Sequence, residues 1–474
     1  MVNWIGSEIK AINFGDLRLK KRLGNVLETF FSKPTESIAS ACKAWADTKA
    51  AYRFFDHENV NEDKILNSHK ASTLDRIRNE PVVLCLQDTT EIDYTSQKYT
   101  TGLGPIGQHK IRQGFYLHPT IAVTPERLCL GTIHTTMWAR DLKTFGKKVD
   151  RKKKPIEEKE SMRWLDSFRE TKKIALELPN TLFVNISDRE GDIYDIFLEA
   201  QKESADKVSN AHWIIRGSHD RCVHGNPEQQ DDTQNDNEKL WSIVEKTTPL
   251  GEIEFEMPSG RGRKGRTVKQ QVYAAEVSLK APDRVGVRLP DVKINAVLTK
   301  EIDCPEGEEP VGWLLLTSLP ITNIEEAVRI IEWYLCRWQI EIFFKILKSG
   351  CQIEKLQLES FERLKVCLSV YMIVAWRILF TTMLGRNCPD IPCTAVFDES
   401  EWKAVYVIIK KKSPPEKPLT LREMIGLVAG LGGFLNRKGD GFPGVKTMWI
   451  GMQRMRDFSL AWDAFHPNLG GADG

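Results

Sequence analysis

Ten cysteines are scattered through 474 residues with no CxxC pair and no CxxC…HxxxH set, which argues against a structural zinc site. The chain opens Met1-Val-Asn-Trp-Ile-Gly-Ser-Glu8, without a basic start and an apolar stretch, so no signal peptide is expected. Free thiols in a reducing cytoplasm are the simplest account. Long uncharged apolar runs are lacking too. The most apolar segment, Leu368 to Leu384, contains Arg377 and is short for a membrane span, so a buried core helix is expected. Internal repeats and low-complexity tracts are absent. Net charge is close to zero: 67 Lys and Arg against 65 Asp and Glu leave +2. A uniformly basic surface is thereby excluded, and any nucleic-acid contact must come from local patches.

What remains is globular. The chain is 41% apolar and 28% charged, which rules out wholesale disorder, and its length suits two or three domains. Residues 1–68 read as a helical domain, with four cations (Arg18, Lys20, Lys21 and Arg22) beside Leu17 and Leu19. These cations suit either a solvated helix face or phosphate contacts. In Ala50 to Phe55, Tyr52 and Phe55 read as core.

From about residue 80 the pattern becomes that of strands. Val82 to Leu86 is a short apolar run ending in Gln87-Asp88-Thr89-Thr90, a buried strand with a polar tip. Gly114 to His118, Thr120 to Val123 and Leu128 to Ile133 read as further strands joined by short loops. Thr181 to Ile186 is a second buried strand, ending in Ser187-Asp188-Arg189-Glu190-Gly191-Asp192, with a helix expected from Ile193 to Ala200. This order indicates a mixed α/β core with its chemistry at the strand ends. Residues 210–320 are again strand-rich. They hold a polar loop, Asn226 to Glu238, and a basic tip, Gly260 to Arg266, in which Arg261, Arg263, Lys264 and Arg266 suit a phosphate backbone or an exposed hairpin turn. A looser basic run covers Lys147 to Lys154. A boundary near 386 precedes apolar helical stretches at Glu401 to Ile409 and Leu419 to Leu431, read as an interaction domain.

The most informative stretch is Tyr334-Leu-Cys-Arg337-Trp-Gln-Ile-Glu341-Ile-Phe-Phe-Lys345-Ile-Leu-Lys348. Its polar members are spaced 3, 4, 4 and 3 apart, within an arc of roughly 80° on one helix. Trp, Leu, Ile and Phe fill most of the rest, so the stripe is expected to face a wet, charged cavity. The alternative is a surface stripe of i,i+4 ion pairs. Asp88 and Asp188 stand 100 positions apart, each just past a buried strand, with Glu341 a further 153 positions on. Alone, either aspartate suits a turn or an N-cap. Together, three carboxylates beside Arg337, Lys345 and Lys348 match two-metal phosphoryl chemistry.

Two strand-end aspartates followed by Tyr-x2-Arg-x3-Glu-x6-Lys resemble the bacterial DDE transposases of the cut-and-paste insertion-sequence group that includes transposon Tn-five. Tyr334, Arg337, Glu341 and Lys348 match every fixed position, and the contexts of Asp88 and Asp188 match too. Ala51-Tyr52-Arg53-Phe54 resembles the family's N-terminal DNA-binding domain. Trp313 to Thr317 resembles the strand before the signature helix, and Gly433 to Gly444 a C-terminal segment. The longer Asn226–Glu238 loop and the basic 147–154 run depart from the family pattern.

The resemblance implies an RNase H-like catalytic domain (69–385) with a β-rich insertion at about 210–320. A helical DNA-binding domain (1–68) and a mainly helical dimerisation domain (386–474) would flank it. Asp88, Asp188 and Glu341 would bind two Mg²⁺, for which Mn²⁺ can substitute. A nick at the element's end, a hairpin, its hydrolysis and attack on target DNA would follow. Tyr334 and Arg337 would hold a phosphate. Trp313 would stack on a flipped base, or simply pack in its strand, and Arg216 and Arg53 are further DNA-contact candidates. Partners would be double-stranded DNA and a second copy of the chain, in the bacterial cytoplasm. Two other readings stay open: a catalytically inactive DNA-binding regulator, and an RNase H-fold nuclease without strand transfer.

Overall fold

Val82–Gln87 and Leu182–Ser187 are apolar without alternation, the pattern of strands covered on both faces. In the computed structural model they pair in parallel, from Val82 against Leu182 to Leu86 against Ile186. The structure describes residues 4–42, 44–108, 110–143, 145–146, 155–202, 210–224, 238–257, 264–284 and 288–466. Ala211–Arg216 continues the sheet, parallel to the second strand. Gly312–Thr317, Val292–Ile302 and Arg266–Leu279 follow in antiparallel order, and Gly251–Met257 pairs with the last. This mixed sheet lies in one of two compact units, residues 78–88 and 146–338.

Helices Met162–Glu177 and Tyr194–Gln201 fill that unit's core with Trp164, Phe168 and Phe197. Phe197 stacks on Trp213 with ring centroids 4.6 Å apart. The strand-rich stretch expected between 210 and 320 is present.

The other unit comprises residues 1–77, 89–145 and 339–474. Its centre is the 27-residue helix Phe361–Asn387, apolar on every side and mostly buried. This is the core helix expected around Arg377, which is 5% exposed and donates to the Val396 carbonyl at 3.0 Å. Phe30, from the helix Leu17–Ser32 capped by Asp16, stacks on Tyr371 at 4.4 Å. Phe55 is buried as expected and Tyr52 is half-buried. Glu8 is locked by the His69 Nδ1–H at 2.5 Å and by Arg76 at 2.6 Å. The Thr132 amide donates to His69 Nε2 at 3.0 Å, which leaves the ring proton on Nδ1.

One expectation for this unit needs correction, and one helix had no counterpart among the expectations. Gly114–His118 and Thr120–Val123 form one strand, Gln113–Val123, with Pro119 inside it. The Cys129–Trp138 partner absorbs the irregularity through register shifts at Thr120/Ile121 and Ala122/Val123. The helix Val445–Phe465 is not foreseeable from the pattern; Gly451 and scattered polar residues blur the apolar period. Both units draw on separated stretches of chain, because strand pairing and helix packing follow burial rather than chain order.

Candidate active site

Asp88 and Asp188 each stand two residues beyond the last paired positions, Leu86 and Ile186. The register therefore brings them level, on parallel neighbours spaced about 4.8 Å apart. The next strand extends the row: Ser187 pairs with Ile215, which sets Arg216 level with Asp188. Beneath the tips, the buried Gln87 amide donates to Asn185, which donates to Thr171 Oγ1 at 3.3 Å. That chain of bonds ties the two aspartate strands to the Met162–Glu177 helix.

Arg337 Nη1 donates to Asp88 Oδ2 at 3.0 Å, with the two side chains 13% and 18% exposed. Tyr334 is buried beside them. Burial pushes its phenol up; Arg337 and Arg216 pull it down, and Asp188 adds to the rise. Tyr334 thus lies within electrostatic reach of both arginines and the second aspartate. The Asp188 carboxylate is oriented from behind: its Oδ1 accepts the Glu190 N–H at 2.9 Å, capping the 3₁₀ turn Arg189–Gly191. Five residues singled out from the sequence (Asp88, Asp188, Arg216, Tyr334 and Arg337) are brought together in one unit.

The signature segment is not the single helix expected. Ile324–Leu335 carries Tyr334, a break holds Cys336 and Arg337, Trp338–Lys345 carries Glu341 and Lys345, and a π turn, Ile346–Gly350, carries Lys348. At the break, the Cys336 and Arg337 amides bond back three residues to Trp333 and Tyr334. At the far end, the Cys351 amide reaches five back to Ile346. The helix is thus tightened at one end of the segment and loosened at the other. Ile340, Phe343, Ile346 and Leu347 are fully buried as expected, but Trp338 is 58% exposed, with Arg337 5.8 Å from its ring centre.

Glu341 is half-buried and belongs, with Lys345 and Lys348, to the unit that resumes at Gln339. Lys345 is exposed, and Lys348 Nζ lies 3.7 Å from Glu354 Oε1. Within either unit taken alone, no three His, Cys, Asp or Glu among the described residues form a metal-holding group. The level pair Asp88 and Asp188 offers carboxylate oxygens at neighbouring strand ends, a donor type that fits Mg²⁺ or Mn²⁺ rather than a thiolate-seeking ion.

The remaining candidates fall out differently. Trp313 is half-buried and its ring lies 6.2 Å from that of Phe255 at 19°. Arg266 is bound by Glu301 and Lys264 is exposed. Arg261 and Arg263, like the 147–154 run and most of the 226–238 loop, lie outside the described residues. Arg18 is 92% exposed and pairs with Asp16 at 2.9 Å, while Lys20 donates to the Lys10 carbonyl at 3.0 Å. Lys21 and Arg53 are exposed and Arg22 half-buried.

Sequence reasoning missed Asp192. Its side chain is fully buried, yet accepts from the Ser218 and His219 amides at 2.8 and 2.9 Å and from Arg221 at 2.5 Å. Burial pushes this carboxyl up, but Arg221 and the two amides outweigh it and hold it below the usual range. The only signal was its place in the Asp188–Ile193 motif.

Three family models match the chain. Residues 1–60 match a transposase DNA-binding domain, residues 200–376 a transposase DDE domain, and residues 373–462 the transposase Tn5 dimerisation domain. The DDE match takes in Arg216, Trp313, Tyr334, Arg337, Glu341, Lys345 and Lys348, and begins after both aspartates. Among solved structures, a cryo-electron microscopy structure of a piggyBac transposase synaptic complex with hairpin DNA is similar at 7% identity and a TM-score of 0.35. The likeness covers 77% of this chain and 66% of that one, just under two thirds of its length.

Proposed function

The chain belongs to the DDE transposases with a Tn5-type dimerisation domain, and we propose that it moves a DNA element by cut-and-paste transposition. One observation carries this reading: the sheet register sets Asp88, Asp188 and Arg216 level, with Arg337 on Asp88. The mixed sheet with its β-rich insertion fits an RNase H-like core. Asp88, Asp188 and Glu341 would be the ligands of two Mg²⁺ or Mn²⁺. Such ions, when bound, lower the proton affinity of an attacking water or 3′-hydroxyl and neutralise the leaving oxygen.

The chain's own residues do the positioning. Arg337 and Arg216 flank the carboxylates and would each grip a non-bridging phosphate oxygen, with Tyr334 donating to the same phosphate. Exposed Lys345 would neutralise the adjoining backbone, together with Lys348 once it is released from Glu354. The order of reaction is nicking at the element's end, attack of the freed 3′-hydroxyl on the opposite strand to form a hairpin, hairpin hydrolysis, and attack on target DNA. Residues 1–60 would grip an element end through Lys21, Arg22 and Arg53, and residues 373–462 would join two copies in the synaptic complex. Ten free thiols fit a reducing cytoplasm.

The test uses purified chain, Mg²⁺ and a labelled duplex spanning the element's own end. Wild type should give a nick and then a hairpin-sized band on a denaturing gel, and Glu341→Gln neither, a loss of at least 10³-fold. Cutting without any hairpin would establish the nuclease instead. Specific binding with no cutting by either protein would establish the inactive regulator.

A further inference from the structure

The Asp188 turn and the segment after Arg216 are joined by one buried group. Gly217–Arg221 is a strap that leaves the sheet directly after Arg216. Its Gly217 amide donates to the Leu314 carbonyl at 2.7 Å. Ser218, His219 and Arg221 all reach Asp192, at the far end of the turn that starts with Asp188. Asp192 Oδ2 accepts the Ser218 and His219 amides at 2.8 and 2.9 Å, Ser218 Oγ at 3.2 Å and His219 Nδ1 at 3.0 Å. Oδ1 takes Arg221 Nη2 at 2.5 Å, and the same nitrogen donates to the Asp192 carbonyl at 3.0 Å.

The turn itself is stiff. Asp188 caps it, the Gly191 amide returns to the Asp188 carbonyl at 3.2 Å, and the Asp192 amide returns to Arg189 at 3.3 Å. It also sits hard against its strand, since a Cβ at Gly191 would lie 2.1 Å from Ser187 Oγ. A displacement at Asp192 therefore has little slack in which to die out before Asp188.

We propose that Asp192 is a positioning residue: its buried carboxylate bolts the Asp188 turn to the Gly217–Arg221 strap, and so holds Asp188 and Arg216 as one preset pair. An ion pair placed only for stability needs one partner. Here a single carboxylate takes donors from three strap residues, and those residues adjoin one member of the site row while Asp192 adjoins another. With its side chain fully buried, Asp192 acts through Asp188 and Arg216. The proposal rests on the reading of Asp188 as a metal ligand.

The experiment compares full-length wild type, Asp192→Asn and Asp188→Asn without DNA. Amide hydrogen exchange is followed by mass spectrometry over 186–193 and 214–222, and Mn²⁺ affinity by calorimetry. Asp192→Asn is expected to exchange at least tenfold faster in both segments and to bind Mn²⁺ at least tenfold more weakly. Loosening confined to 214–222, or Mn²⁺ affinity within twofold of wild type, overturns the proposal, because Asp192 would then only fasten the strap. Should Asp192→Asn fail to fold, Arg221→Gln, which leaves the carboxylate in place, carries the same comparison with the same outcomes. Wild type that binds no Mn²⁺ sensitive to Asp188→Asn sinks the metal-ligand reading and this proposal with it. That failure is recognised before any Asp192 variant is measured.

Discussion

Burial lifts the Glu401 carboxyl from its ordinary value to about 7; Asp398 adds to the rise, while the Asp398 amide, Arg456 and Arg377 oppose it. Glu401 caps its helix by accepting the Asp398 amide at 2.9 Å, and Arg456 lies 3.3 Å away, shared with Glu28. The folded chain therefore keeps a proton that the unfolded chain releases near 4.5. This contribution is complete below about pH 4.5 and is lost as pH rises through 7. Glu401→Gln keeps the cap and cannot ionise. It should match wild type at pH 4 and exceed it at pH 8 by no more than about 3 kcal/mol. Chemical denaturation at both pH values checks this, and parallel stability curves would show that Glu401 ionises normally. No residue-level pattern announced this group, because its shift comes from what packs over it.

At the scale of elements, close approach decides more than propensity. The helices Leu421–Leu431 and Val445–Phe465 meet backbone to backbone: a Cβ at Gly451 would lie 1.9 Å from the Val428 carbonyl oxygen, and one at Gly432 equally near Thr447. Gly451→Ala must part the helices or unfold them. It should cost about 1–3 kcal/mol or more, read as a lower denaturation midpoint. A change under about 0.5 kcal/mol would mean the pair adjusts freely. The first of these helices was legible as the apolar stretch Leu419 to Leu431, the second was not. The signature segment shows the same limit. Its residues were legible, but its straightness was not, since the bonds that tighten it at Arg337 and loosen it at Gly350 leave no mark on a spacing of 3 and 4.

For the molecule as a whole, a net charge of +2 means that binding to DNA depends on where cations are left exposed. Arg18 is partly neutralised by Asp16 and Arg266 by Glu301, which removes two of the sequence candidates from the freely available set. Lys21, Arg22 and Arg53 remain on the N-terminal helices. Lys21→Ala/Arg22→Ala should flatten the log–log salt dependence of binding to an element-end duplex by up to about 1.8, roughly 0.9 for each phosphate that is no longer neutralised. Fluorescence anisotropy over a salt series measures it. An unchanged slope would place those cations on a merely solvated face.

The identities and spacings of Tyr334, Arg337, Glu341 and Lys348, the two aspartates after apolar runs, and the strand-rich stretch from 210 to 320 follow from the sequence alone. Local composition suffices there, because apolar runs without alternation have few options but a buried strand. The tertiary structure alone decided that Asp88, Asp188 and Arg216 stand level, that Arg337 closes on Asp88, and that Asp192 collects donors 26 to 29 positions away. Those facts depend on register. A strand can slide against its neighbour in steps of two residues without turning any side chain to the wrong face. Which step is taken is settled by packing and polar satisfaction summed over distant parts of the chain, here the Gln87–Asn185–Thr171 bonds among them, and no local window of sequence contains that sum.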